Sequence, residues 1–212
     1  MLRFLVGLLL FLVCCGTTLA EENSVAARPS IIIVGDSLSA AYGMQLDESW
    51  PSLLQRRLEE DGYAHRVFNS SITGDTTQGG RSRRPRLLEK HQPELVLIEL
   101  GGNDGLRGLP LEVTRGNLAF MIEAAQQSGA RVVLTEIMIP PNYGASYTER
   151  FTANYQELAQ EYKAILVPFI LDDIALAEGM MQADGIHPTA AAQPVILNKY
   201  WASLKPLLVQ SD

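Results

Sequence analysis

The chain has 212 residues, 47% of them hydrophobic, with 24 acidic against 17 basic side chains and a formal net charge of −7. That length buries one α/β core and is short for two, and the ordinary charged and aromatic content excludes a disordered chain. The acidic balance argues against a nucleic-acid partner and against electrostatic docking on anionic lipid, because both attract basic faces.

The first twenty residues stand apart. Arg3 supplies a positive charge, Phe4 to Cys15 is apolar apart from Gly7, and Thr18-Leu19-Ala20 puts small residues where a signal peptidase reads them. Residues 1–20 therefore read as a cleaved secretory signal and 21–212 as a single domain, periplasmic or secreted. The apolar run is short for a membrane span. Lipidation of Cys14 or Cys15 is disfavoured because Val13 and Cys14, the preceding residues, are not the small ones a bacterial lipobox prefers. Both cysteines lie in this segment, so the mature chain has no disulfide, thiolate ligand or cysteine nucleophile.

Strand and helix patterns then alternate. Ser30 to Val34 is a β-branched strand ending at Gly35. Trp50, Leu53, Leu54 and Leu58 mark one face of a helix over 50–60. His65 to Asn69 is a weaker strand. Thr77 to Lys90 reads as a helix interrupted near its start by Gly79-Gly80 and again by Pro85. Glu94 to Leu100 is an apolar strand ending at Gly101-Gly102, and Glu112 to Ser128 a helix stopped by Gly129. Arg131 to Thr135 is a strand, Tyr147 to Tyr162 a helix, Ala164 to Val167 a short strand, and Thr189 to Val209 a closing helix that Pro194 and Pro206 limit. Near-continuous apolar strands alternating with helices predict an α/β fold, a doubly wound parallel sheet covered on both faces.

In such sheets the ligand sits beyond the carboxyl ends of the strands. Four junctions there have unusual composition: Gly35-Asp36-Ser37-Leu38-Ser39, Ser71-Ile72-Thr73-Gly74-Asp75, Gly101-Gly102-Asn103-Asp104 and Asp184-Gly185-Ile186-His187-Pro188. A serine needs an adjacent base, normally a histidine that a carboxylate orients. Of three histidines, only His187 has a carboxylate, Asp184, on the same glycine-containing turn. Ser37 follows the first strand at a strand-to-helix junction, where the start of the next helix would favour negative charge. The Ser37 and Gly74 N–H groups and the Asn103 amide can serve as oxyanion donors.

Taken singly, each segment is ordinary turn chemistry. His65 and His91 read as surface or structural, and Arg81 to Arg86 as a solvated basic helix face rather than a patch for acidic head groups. No paired histidine spacing or mature cysteine points to a metal, and nothing calls for a cofactor.

At these four segments the chain resembles the SGNH, or GDSL, hydrolase family, each segment matching one of its blocks in order. Gly101 to Leu109 and Pro140 to Gly144 look closer still to the bacterial periplasmic thioesterase-I group, also described as arylesterases and lysophospholipases. The resemblance implies a three-layer flavodoxin-like fold with a central parallel five-stranded sheet. It implies Ser37 as nucleophile, His187 as base, Asp184 as its orienter, and Ser37, Gly74 and Asn103 as oxyanion donors. It also implies a mobile loop over Gly105 to Leu111.

The expected function is hydrolysis of small-molecule acyl esters or thioesters through an acyl-enzyme, by a monomer. Leu106, Leu109, Pro140, Tyr143 and Ile186 are the expected substrate-binding residues, alongside Leu111, Met138 and Ile139 as further apolar loop residues. Three rivals exist. A conventional α/β-hydrolase would carry Gly-x-Ser-x-Gly, but Ser39 occupies the fifth position. A non-catalytic binding module would be expected to lose the serine or histidine. A carbohydrate O-deacetylase of the same family would favour a polar, open cleft.

Overall fold

The computed structural model describes residues 28–208; the expected signal segment, with Cys14 and Cys15, lies outside them. In chain order the regular elements are β1 (Ser30–Gly35), α1 (Trp50–Glu60), β2 (Arg66–Asn69), α2 (Thr77–His91), β3 (Leu95–Glu99), α3 (Gly102–Leu106), α4 (Leu111–Gln127), β4 (Arg131–Thr135), α5 (Ala145–Tyr162), β5 (Ile165–Val167) and α6 (Gln193–Leu204). The strands form one sheet in the order β2-β1-β3-β4-β5, with every neighbouring pair parallel. This is the flavodoxin-like order, and its direction of winding reverses between β1 and β3.

Strand side chains alternate between two cores. Ile31, Ile33, Leu95, Leu97 and Val133 pack against Trp50, Leu54 and Leu58 of α1 and Ile196 and Tyr200 of α6. Ile32, Val34, Val96, Ile98, Val132 and Leu134 pack against Leu118, Met121 and Ile122 of α4 and Phe151 and Tyr155 of α5. Burial on both faces explains why these strands read as unbroken apolar runs. Each such side chain stabilises the fold by roughly 1.5–3 kcal/mol.

Some expectations need correction. α2 runs unbroken through Gly79, Gly80 and Pro85. Gly80 serves close packing: a Cβ there would stand 2.3 Å from Leu100 Cδ1. The closing helix is shorter than 189–209. Residues 190–192 and 205–207 are 3-10 turns, and Pro194 sits in the first turn of α6, where its missing N–H costs nothing. Two arginines of the basic run are tied down rather than solvated: Arg83 pairs with Asp75, and Arg81 donates to Asn117 Oδ1 while lying over the Phe120 ring. His65 is buried and structural, as expected: its Nε2 lies 3.0 Å from Glu94 Oε2, while Glu94 Oε1 binds Arg131. That cluster sits at the amino end of β3 and β4, away from the candidate site. Among the described residues, no helix is long and apolar enough to cross a membrane.

Candidate active site

The β1/β3 switch point creates a crevice at the carboxyl edge, and the loops after these strands meet there. Ser37 does not start a helix, as its position after β1 suggested; it begins a run of turns, and α1 starts only at Trp50. The helix-terminus contribution expected from α1 is therefore absent at Ser37. The turn is held from within by Asp36, whose Oδ1 accepts the Leu38 N–H at 3.1 Å. From outside, Asn69 Nδ2 donates to Ser39 O at 2.7 Å.

The His187 segment returns as a short hairpin closed by an antiparallel bridge between Met181 and Pro188. Gly185 supplies the left-handed residue of its turn, at φ +66°. Asp184 Oδ1 accepts the N–H groups of Ile186 and His187 at 2.9 and 3.0 Å, and its Oδ2 lies 2.7 Å from His187 Nδ1. These hydrogen bonds hold the Asp184 carboxyl down at about 2. It stays an anion, which fixes the proton on Nδ1 and leaves Nε2 as acceptor. Nε2 lies 2.9 Å from Ser37 Oγ. Gln182 joins the two loops: its Nε2 donates to Tyr42 O at 2.9 Å and to Pro188 O at 3.0 Å.

Asn103 stands on α3. Gly101, at φ +119°, opens this helix, and a Cβ there would be 2.0 Å from Tyr155 Oη. α3 is anchored beneath by Asp104, which accepts the Thr77 N–H at 2.9 Å. Asn103 Nδ2 donates to Asp36 Oδ2 at 3.1 Å, so the amide is oriented beside the serine. Arg107, which follows the last residue of this helix, donates to Gly74 O at 3.0 Å. That contact fixes the loop on which Gly74 takes φ +76°. Among the described residues, neither the Ser37 nor the Gly74 N–H donates to a protein acceptor. Burial pushes the Asp36 carboxyl up to about 6 against the bonds from Leu38 and Asn103.

A cleft of about 450 Å³ opens beside Ser37, Asn103 and His187. Of the expected substrate residues, Leu106, Pro140 and Ile186 line it, as do Met138 and Ile139. Leu109, Tyr143 and Leu111 do not. Leu111, the first residue of α4, is buried in the core instead. Tyr143 spends its hydroxyl on Leu106 O at 2.8 Å, and the Leu109 carbonyl is held by Tyr147 at 2.9 Å. Leu38, Ile137, Phe169, Leu171, Ala175 and Met181 also line the cleft and were not foreseen. Four of these, from Phe169 to Met181, lie in a segment whose turns follow no helical or strand period, so only their apolar character marked them.

No group of three or more His, Cys, Asp or Glu side chains among the described residues could hold a metal. The sequence model of the GDSL-like lipase/acylhydrolase family matches residues 33–194. The esterase TesA of Pseudomonas aeruginosa is 51% identical over 183 residues, 86% of this chain and 91% of its own. The thioesterase 1/protease 1/lysophospholipase L1 of Escherichia coli is 43% identical, over 86% of each chain. The crystal structure of the psychrotrophic esterase EstA from Pseudoalteromonas, inhibited by monoethylphosphonate, superposes with a TM-score of 0.81 at 41% identity, covering 84% of this chain and 97% of that one. A match spanning most of the chain, and relatives this similar over nearly their full lengths, make it a member of the GDSL-like lipase/acylhydrolase family and thus an acylhydrolase.

Proposed function

We propose that this chain is a serine esterase and thioesterase that uses Ser37, His187 and Asp184. The carrying observation is the continuous relay from Asp184 Oδ2 through both imidazole nitrogens to Ser37 Oγ, at 2.7 and 2.9 Å. In the first half-reaction His187 Nε2 takes the Ser37 proton as Oγ attacks the acyl carbonyl. The oxyanion is met by the N–H groups of Ser37 and Gly74 and by Asn103 Nδ2. Collapse expels the alcohol or thiol, which receives the proton from Nε2 and leaves an acyl-Ser37 ester. Water, deprotonated by His187, then attacks that ester, and the carboxylic acid departs as Ser37 regains its proton.

The cleft walls favour acyl chains over sugars. Leu106, Ile137, Ile139, Phe169 and Leu171 offer no hydrogen bonds from their side chains to a glycan. The substrate class is thus a small acyl ester or thioester, including aryl esters and lysophospholipids. Every group in the mechanism comes from one polypeptide, so the reaction needs no second copy of the chain. Export to the periplasm or medium, with residues 1–20 removed and the rest forming the catalytic domain, follows from the charged, apolar and small-residue order of that segment.

The test is hydrolysis of acyl ester, acyl-thioester and acetyl-sugar substrates by wild type and Ser37→Ala. Ser37→Ala should lose on the order of 10⁴-fold in kcat while remaining folded. His187→Ala should lose as much, and the double variant little more. A Ser37→Ala enzyme keeping a tenth of its turnover removes Ser37 from the mechanism, and a preference for acetyl-sugars selects the deacetylase.

A further inference from the structure

Glu99 ends β3 directly beneath the serine turn and is fully buried, at 0% exposure. No lysine, arginine or histidine among the described residues forms an ion pair with it. Its Oε2 accepts from Ser39 Oγ at 2.7 Å and lies 3.4 Å from the Asp36 N–H. Its Oε1 is buried with no hydrogen-bond partner among the described residues. The backbone is shaped around this carboxyl: a Cβ on Gly35 would stand 2.8 Å from Glu99 Oε2 and 2.9 Å from Ser39 Oγ.

The titratable neighbours are all acidic. Asp36 belongs to the turn itself. Tyr155 approaches from α5 with its hydroxyl on Leu100 O, and Tyr200 from α6 with its hydroxyl at Thr135 Oγ1. A second anion in this place would be buried without a counter-charge, beside another carboxyl. Burial, with Asp36 next to it, pushes the Glu99 carboxyl well above the ordinary range. Because Oε2 is occupied as an acceptor, the proton belongs on Oε1.

The two residues that Glu99 touches, Asp36 and Ser39, bracket Ser37. We propose that Glu99 is a neutral carboxylic acid that acts as a positioning residue, gripping the turn on both sides of the nucleophile so that Ser37 Oγ stays within reach of His187. This rests on the Ser37 reading above, but its protonation state is testable apart from that reading.

Three measurements on the full-length enzyme test it. At pH 8, above the Asp36 carboxyl at about 6, wild type should show the infrared carbonyl band of a protonated carboxylic acid, and Glu99→Gln should lack it. A raised acid keeps its proton in the folded state while the unfolded chain loses it, so wild-type stability falls as pH rises past the ordinary carboxylate range. The Tm of Glu99→Gln relative to wild type should therefore climb from pH 5 to pH 8, with kcat at pH 7 kept within about threefold because the neutral isostere preserves the grip. Ser39→Ala, which removes one bond and leaves the acid, should lower kcat roughly tenfold with KM nearly unchanged. Absence of the band in wild type, or its persistence in Glu99→Gln, means Glu99 is not the neutral acid. Full kcat in Ser39→Ala means the grip does not position Ser37. A misfolded Glu99→Gln leaves the wild-type band and Ser39→Ala as deciding results. Retained turnover in Ser37→Ala would sink the catalytic reading while leaving the band to report on Glu99.

Discussion

The Tyr42 ring lies against the His187 imidazole, with centroids 4.1 Å apart and planes tilted by 37°. Tyr42 is 42% exposed, and its position is set by the Gln182 bond to its carbonyl. When His187 takes the serine proton, the new imidazolium faces an aromatic surface, worth about 0.5–1 kcal/mol at a partly exposed site. Tyr42→Leu should lower kcat about two- to fivefold with little change in KM, by that same magnitude. Tyr42→Phe, which keeps the ring face, should behave as wild type. Equal losses in both variants would assign the effect to the hydroxyl and dismiss the ring contact.

Asn103 is proposed to act only on charge that develops during the reaction. Asn103→Ala should lower kcat by roughly 10²–10³-fold with a much smaller change in KM. Steady-state kinetics on one ester suffice to read this. A raised KM at constant kcat would instead make Asn103 a ground-state binding group.

The cleft lining separates two neighbouring leucines. Leu106 faces the cleft, whereas Leu109 does not line it. On a p-nitrophenyl ester series, wild-type kcat/KM should rise from acetyl to medium chains, by at most ~0.8 kcal/mol per fully buried CH₂. Leu106→Ser should flatten that rise and spare acetyl turnover; Leu109→Ser should keep the slope. A wild-type preference for acetyl over every longer chain would refute the apolar acyl site.

Asp184 and Asp36 shift in opposite directions, and their stability signatures should differ in sign. The folded Asp184 carboxyl sits at about 2, below its ordinary 3.8. Its contribution is present above pH 3.8 and lost as pH falls through 2, so the deficit of Asp184→Asn against wild type should shrink over that window. Asp36 sits at about 6, above 3.8. Wild type loses stability as pH rises from 3.8 to 6, so the Tm of Asp36→Asn relative to wild type should climb there and level off above. Thermal melts from pH 2 to pH 8 give both curves, and slopes of the same sign for the two variants would contradict the assigned burial and hydrogen-bonding causes.

Much of this was legible locally. β1, β3 and β4 announce themselves because strands covered on both faces are apolar at nearly every position. Asp184 and His187 could be paired on paper because they stand three positions apart across one glycine turn, so local backbone geometry alone brings carboxylate to imidazole. Asp36, Ser37 and Asn103 could be gathered because parallel winding sends the ends of β1 and β3 to the same edge. Other features depended on how loops return across that edge. Tyr42 meets His187, Gln182 joins their loops, and Phe169 to Met181 builds a cleft wall from a segment with no period to read. Glu99 sits in an apolar strand, where sequence shows one acidic residue and no sign that Ser39, sixty positions away, will bind it. Periodicity and turn chemistry report on neighbours along the chain. Contacts between distant loops are decided only when the sheet has formed and packing selects which side chains meet.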